Sequence, residues 1–450
     1  MTPNRTAPPL PFLLLTAGLL FIFADQSMLG PFLNPLLAGF FGSTRNVVPL
    51  GWVGFAATAL SALAMIAAGI LSDRGARLRF CAGGLALAGA ASLLSPLIPG
   101  GRAGYALFFT LRALAGIGAG AFVPAAFSLA SDSVDPGRRG TAFGLMSVAM
   151  LVGRLAGFGL AGALGTGWRT AYLIVGAAEI AAAAVFAAFR EPERGGREED
   201  LQGAIREGAH YRFRISRSDA AVLRRARSNV WLVLNFIDVI PGSIVLFLIF
   251  KYMKEIHNLD AAAVNVMLLA VFAAGALGAV VFGRIGDVGF RKDKRAKVIT
   301  AMACNAVPIV FMVLFLANTA RAPETGGLHA SLAAPGMIAL ILTVAAALFI
   351  NQGVNPNWYG TLADINLPEH RGTMVSLASV MDLAGNALGP LIASYAATLW
   401  GLRTAMGLVL VFWAANILFW IPVLRHVRGD IERSRAVLRA RAAEMQREAP

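Results

Sequence analysis

Residues Gly69–Arg79 read GILSDRGARLR, a charged turn set between two apolar runs. The run before it, about residues 50–71, and the run after it, about 78–98, are each long enough to cross ~30 Å of hydrocarbon as a helix. The same alternation fills the chain, at about 11–37, 104–131, 139–165 and 168–189, then 229–253, 261–286, 297–317, 336–363, 371–398 and 402–424. Composition agrees, with 57% of the 450 residues hydrophobic and 14% charged, where a soluble chain carries roughly a quarter charged residues. Mean hydropathy is +0.67. The fold class is all-α integral membrane, with twelve transmembrane helices.

A formal net charge of +14 raises the question of nucleic acid, and its placement answers it. Arginine crowds into 190–227, 284–297 and the tail after Arg425, segments that share one side of the membrane. The positive-inside rule accounts for this, with both termini cytoplasmic in a multi-pass protein of the cell (plasma or inner) membrane. Attraction to anionic lipid headgroups follows, and no nucleic-acid partner is expected. Trp52, Trp168 and Trp400 fall at outer span ends and Trp231 and Trp420 near inner ones, as interface anchors would. The first run is too long for a signal-peptide core and reads as a span. Cys81 and Cys304 each sit in an apolar run and are expected as two buried thiols. With no phosphate loop, metal-ligand cluster or nucleophile constellation, an enzyme is not expected, nor a metal or cofactor.

Internal repetition sets the organisation. DSVDPGRRGT (Asp132–Thr141) returns as DINLPEHRGT (Asp364–Thr373), GILSDRG (Gly69–Gly75) as GRIGDVG (Gly283–Gly289), and GRLAG (Gly153–Gly157) as GNALG (Gly385–Gly389). FAD at Phe23–Asp25 is echoed by FID at Phe236–Asp238. Four landmarks in one order give two parallel six-helix repeats, a pseudo-symmetric pair of bundles. The expected organisation is an N-terminal bundle over 1–189, a basic cytoplasmic linker over 190–228, a C-terminal bundle over 229–424 and a charged cytoplasmic tail over 425–450. An amphipathic end of the linker, SDAAVLRRARS, would lie on the headgroups, and the tail would form a short solvated helix.

These residues resemble the major facilitator superfamily. Gly69, Leu71, Asp73, Arg74 and Arg77 match its loop signature G-x-L-x-D-R-x-G-R-R, with the second glycine one place early at Gly75. Gly283, Asp287, Gly289 and Arg291 repeat the pattern with the same shift. Arg112, Leu114, Gly116, Gly118 and Gly120 resemble its R-x-L-x-G-x-G-x-G pattern. The fifth span is glycine-rich where drug/proton antiporters carry G-x-x-x-G-P-x-x-G-G, without that proline, and ADQSMLGPFLNPL resembles the acidic first span of spinster-like lipid transporters. The resemblance implies a latch in which Gly69, Asp73, Arg74, Arg77, Gly283, Asp287, Arg291, Arg139 and Arg371 hold one state, Asp73 receiving the N-terminus of the eleventh span near Arg371. The alternative for the same charges is an ordinary solvated cluster.

An ionisable group at bilayer depth costs at least about 2.5 kcal/mol, so it needs a partner, a wet cavity or a function. Candidates are Asp25, Arg112, Arg154, Glu179, Asp238 and Asp382, while every histidine is expected in a loop or the tail. Asp25, Arg112 and Arg154 sit at similar depths by helical rise, so Asp25 is expected to pair with Arg112 or Arg154, either as a static tie or as a proton-sensitive switch. Glu179, on the sixth span, reads equally as cavity-facing and functional or as structural or lipid-interfacial. The repeats diverge where Arg112 aligns with Val344, Arg154 with Asn386, Met150 with Asp382, and Ala119 and Gly120 with Asn351 and Gln352. Substrate-lining candidates are Gln26, Asn351, Gln352, Asn355, Asn357, Trp358 and Asn386. Pro124 and Pro356 are expected to kink the fourth and tenth spans, as a gate or as ordinary packing.

The expected function is secondary active transport of a small organic or amphiphilic solute by alternating access, proton-coupled as symporter or antiporter, in a monomer whose partners are substrate, protons and the bilayer. Asp25, Arg112, Arg154, Asp238 and Asp382 are the coupling candidates, and the arginines lean toward organic anions or zwitterions. The alternatives are an uncoupled facilitator, or a membrane receptor or scaffold on a transporter fold.

Overall fold

The computed structural model describes residues 10–72, 77–133, 139–189, 191, 226–323, 327–366 and 368–448, which are helical apart from turns and short connections, with no strand among them. The chain divides into two compact units, residues 1–213 and 214–450. The first contains α1 (Leu10–Ser27), α2 (Leu33–Phe41), α3 (Val48–Ser72), α4 (Arg77–Leu93), α5 (Gly101–Ser133), α6 (Arg139–Leu164) and α7 (Trp168–Ala188). The second contains α8 (Arg227–Val233), α9 (Ile240–His257), α10 (Ala261–Lys292), α11 (Ala296–Ala317), α12 (Gly327–Ala333), α13 (Pro335–Asn351), α14 (Val354–Ile365), α15 (Pro368–Trp400) and α16 (Leu402–Glu448). Among the described residues, 11 helical stretches are long and apolar enough to cross a membrane, and Phe12–Ser27 is a shorter apolar helix. With that helix each unit has six spans.

Three spans expected as single helices are broken, each at a point set by a proline. A proline at position i has no N–H for the carbonyl at i−4 and crowds it. Pro31 withdraws the partner of Ser27, where α1 stops before the chain turns into α2. Pro241 does the same to Ile237, inside the 3-10 turn Asn235–Asp238 that separates α8 from α9. Pro356 does it to Gln352, and α13 ends at Asn351 before α14 begins at Val354. Pro124, by contrast, lies inside the continuous α5.

Lipid supplies no hydrophobic drive for helices to meet each other, so close approach depends on small residues. The repeated GRLAG and GNALG segments do this work in both units. A Cβ at Gly153 or Gly157 of α6 would strike the Leu20 or Ala24 carbonyl of α1. A Cβ at Gly385 of α15 would strike the Phe236 carbonyl in the turn before α9. The sequence repeat is thus a repeat of one packing device.

Two expectations need correction. Trp168 and Trp420 are 4% and 1% exposed, so they are core residues of their units and not interface anchors, whereas Trp52 and Trp400 are exposed. The tail is no separate short helix, because α16 runs on from the last span to Glu448. Its first turns are docked, with Val427, Asp430 and Ile431 buried, Asp430 accepting from the Ser228 amide at 2.9 Å and Ser434 donating to the Ile365 carbonyl at 2.6 Å. The linker candidate SDAAVLRRARS lies almost wholly outside the described residues. Cys81 and Cys304 are buried free thiols.

Candidate functional site

In the first unit, α1 brings Asp25 to the place where the helix ends, and α5 brings Arg112 opposite it. Arg112 Nη1 lies 3.0 Å from both carboxylate oxygens of Asp25. Ser92, one residue before the end of α4, closes a ring: its hydroxyl donates to Asp25 Oδ1 at 2.6 Å and accepts from Arg112 Nη2 at 2.8 Å. Ser95 accepts a longer bond of 3.4 Å from the same nitrogen. Asp25 is 4% exposed, Arg112 5%, and both serines 0%. The guanidinium also lies 4.2 Å above the Tyr172 ring of α7, a cation–π contact that is stronger where water is excluded. Phe32, Phe108 and Trp168 pack around Tyr172 with ring centroids 6.0–6.5 Å away. The ion pair therefore sits under an aromatic cover, and Phe32 reaches it because the chain turns at Pro31.

Glu179 belongs to the same site. Tyr172, Gly176 and Glu179 lie at helical spacing along one face of α7. A Cβ at Gly89 of α4 would lie 2.9 Å from the Glu179 Cβ and 3.0 Å from the Gly176 carbonyl, so α4 and α7 touch here. Glu179 is fully buried, on the face of α7 whose Tyr172 ring carries the Arg112 guanidinium, and neither carboxyl oxygen has a hydrogen-bond partner among the described residues. The lipid-interface reading of this residue is excluded. Arg154 is not the partner of Asp25: its guanidinium lies 5.1 Å from the Phe23 ring and its carbonyl accepts from Ser27 at 3.1 Å. Among the described residues it has no carboxylate partner, and it is half-buried.

In the second unit, Asp238 ends the 3-10 turn and accepts from Asn416 of α16, which also donates to Asn305 of α11 at 3.4 Å. Asp382 on α15 lies three residues before Gly385, whose Cβ would strike the Phe236 carbonyl of that turn. Asn386, one helical turn further on, accepts from Ser243 at 2.5 Å. Asn357 donates to the Phe282 and Gly353 carbonyls and Trp358 to the Leu232 carbonyl, so both hold their unit together. Asn351 reaches the Cys304 carbonyl only at 3.5 Å. Gln352 lies in the turn between α13 and α14, and Gln26 and Asn355 are exposed on their own units.

A model of the Major Facilitator Superfamily matches residues 15–349. The chain belongs to that superfamily. Among curated proteins none matches it. Solved structures share its fold. A bacterial homolog to the human lysosomal transporter Spinster, in an inward-facing and occupied conformation, aligns with a TM-score of 0.71 at 18% identity, covering 93% of this chain and 97% of that one. A D-xylose–proton symporter aligns at 0.66 with 16% identity, covering 93% and 98%. The inward open xylose transporter XylE from E. coli gives 0.66 at 15% identity over 93% and 98%. The chain is thus a multi-pass membrane transporter of the superfamily by family and fold.

The superfamily's signature loop is only partly in view. Asp73 and Arg74 lie outside the described residues, as do the side chains of Arg139 and Arg371. Gly69 has open space where a Cβ would be. Arg77 opens α4 and is buried, its Nε donating to Glu191 at 2.9 Å and its Nη1 to the Ser128 hydroxyl at 3.1 Å. Lys297 holds the corresponding place at the start of α11. Its Nζ lies 2.9 Å from Asp364 and 3.2 Å from Asp287 of the second loop copy. Gly283 faces Pro356, and Arg291 is exposed. Each unit therefore fastens its third span with one buried cation on flanking acids. Sequence reading missed Ser92, Ser95, Tyr172, Asn416 and Lys297, although two serines three residues apart near the end of an apolar run are a usable signal.

Proposed function

We propose that the chain is a proton-coupled secondary transporter of a small organic or amphiphilic solute, working by alternating access with both termini cytoplasmic in the cell membrane. The observation that carries this is the buried Asp25–Arg112–Ser92 ring with Glu179 beside it. Asp25 and Arg112 compensate each other, leaving a third ionisable group in the same dry space. A carboxylate buried with neither oxygen bonded is very costly, and a bound proton removes that cost. In this reading Glu179 holds the proton while Asp25 is paired. When an incoming anionic group draws Arg112 away, Asp25 is the acid left to be neutralised, and the proton moves to it. Arg154, half-buried and without a carboxylate partner among the described residues, is the candidate reader of an anionic or zwitterionic solute. The superfamily's loop residues Asp73, Arg74, Arg139, Asp287, Arg291 and Arg371 would act as the latch between states.

The test begins with a thermal-shift screen of solutes against the purified protein. The best stabiliser is then offered to proteoliposomes under an imposed pH gradient. Accumulation above the external level that collapses with the gradient supports coupling, and equilibration without accumulation identifies a facilitator. Glu179→Gln separates the two states of that side chain. A neutral Glu179 is replaced almost isosterically, so the melting temperature should change little while the pH dependence of flux is lost. If Glu179 were an ionised partner of Arg112, the variant would lose about 3 kcal/mol or more.

A further inference from the structure

A second polar cluster lies in the C-terminal unit, and its chemistry is the reverse of that around Asp25. It offers acids and amide oxygens, and among the described residues no Lys, Arg or His pairs with Asp238 or Asp382. The broken span builds its centre. In a 3-10 turn side chains three apart eclipse, so Asn235 and Asp238 share a face. Pro241 has no N–H to offer the Ile237 carbonyl between them. The collision that a Cβ at Gly385 would make with the Phe236 carbonyl shows α15 lying directly on this turn. Asp382, three residues before Gly385, is on the same face of α15 one helical turn away. From α16, Asn416 is 0% exposed and places its amide nitrogen on Asp238 and Asn305.

Two observations point to a ligand. The Asn416 Oδ1 and the Asn235 Oδ1 are both buried with no hydrogen-bond partner among the described residues, in residues 0% and 5% exposed. A buried acceptor left unbonded costs about 1–3 kcal/mol. A proton on one carboxyl would neutralise one charge and satisfy one acceptor, leaving the other unbonded. A small cation would be ligated by both amide oxygens and both carboxylates at once. We propose that Asp238, Asp382, Asn235 and Asn416, with the Ile237 carbonyl, form a sodium site in the C-terminal unit. Magnesium retains several waters, and calcium takes about 6–8 oxygens. This cluster offers about five, at a helix break of the kind whose freed carbonyls coordinate sodium in membrane transporters. The site is independent of proton transfer at Asp25.

The experiment is thermal unfolding of the purified full chain in sodium, potassium and choline chloride at one pH and one ionic strength. Sodium should raise the melting temperature saturably, by about 2 °C or more at tenfold excess over half-saturation, and potassium and choline should not. Asp382→Asn and Asn235→Ala should each remove the sodium increment, and Asp25→Asn should keep it. A wild-type melting temperature indifferent to sodium overturns the site. So does a rise shared with potassium and choline, or an increment that survives Asp382→Asn. Should a variant fail to fold, binding of radiolabelled sodium to the wild-type chain decides: saturable binding near one ion per chain supports the site, and none overturns it.

Discussion

Asp25→Asn is expected to abolish proton-driven accumulation in proteoliposomes while leaving solute exchange intact. Asparagine keeps the shape of the side chain and an oxygen for the Ser92 hydroxyl, which lies 2.6 Å from Asp25 Oδ1. It cannot take up or release a proton. Removing one partner of a buried ion pair costs about 3–5 kcal/mol when the other charge is left alone, a loss that would by itself explain any drop in flux. Glu179 changes that expectation. Lying on the α7 face whose Tyr172 ring carries the Arg112 guanidinium, it can ionise and take over as the counter-charge, so Asp25→Asn alone should lose clearly less stability than that range. The double variant Asp25→Asn/Glu179→Gln strands Arg112 and should show the full loss. Concentrative uptake that persists in Asp25→Asn would remove the residue from coupling. Equal melting temperatures for the single and double variants would remove Glu179 from the site.

The spans were legible because lipid imposes a length that apolar runs must meet, and the depth of Asp25, Arg112 and Arg154 follows from counting residues at 1.5 Å each. Which arginine pairs with Asp25 was not legible, because counting gives depth and not rotation about the helix axis. Asp25 is aimed at α4 and α5, where Ser92 and Arg112 stand. Arg154 approaches α1 from the opposite helix, α6, and meets Phe23. The helix breaks were hidden for a related reason. Pro31, Pro241 and Pro356 follow breaks, whereas Pro124, Pro308, Pro390 and Pro422 sit within continuous helices. Neighbouring helices can satisfy a freed carbonyl in one place and not in another, so the local sequence alone does not decide. Glu179 escaped assignment because its face of α7 is fixed by contact with Gly89, a residue ninety positions away in sequence.

The contact between α1 and α6 offers the other large effect. Gly157→Leu is expected to prevent recovery of folded, monodisperse protein in detergent. A Cβ at this position already meets the Ala24 carbonyl and the Ser27 hydroxyl, so the obstruction includes backbone, which cannot turn aside as a flexible side chain can. Overpacking a core costs typically about 1–3 kcal/mol where neighbours can shift, and here the shift would have to move α1 itself. Gly159, two residues on, has nothing within 4 Å of its Cβ position, and Gly159→Leu should be recovered in wild-type yield with an unchanged melting profile. The milder Gly157→Ala gives the functional readout, because Ala24 is adjacent to Asp25. A chain that still folds with α1 displaced should lose proton-driven flux more than it loses stability, since a positioned ion pair fails by displacement well before a helix contact fails by unfolding. Wild-type yield and flux in Gly157→Leu would show that α1 and α6 do not meet through these glycines.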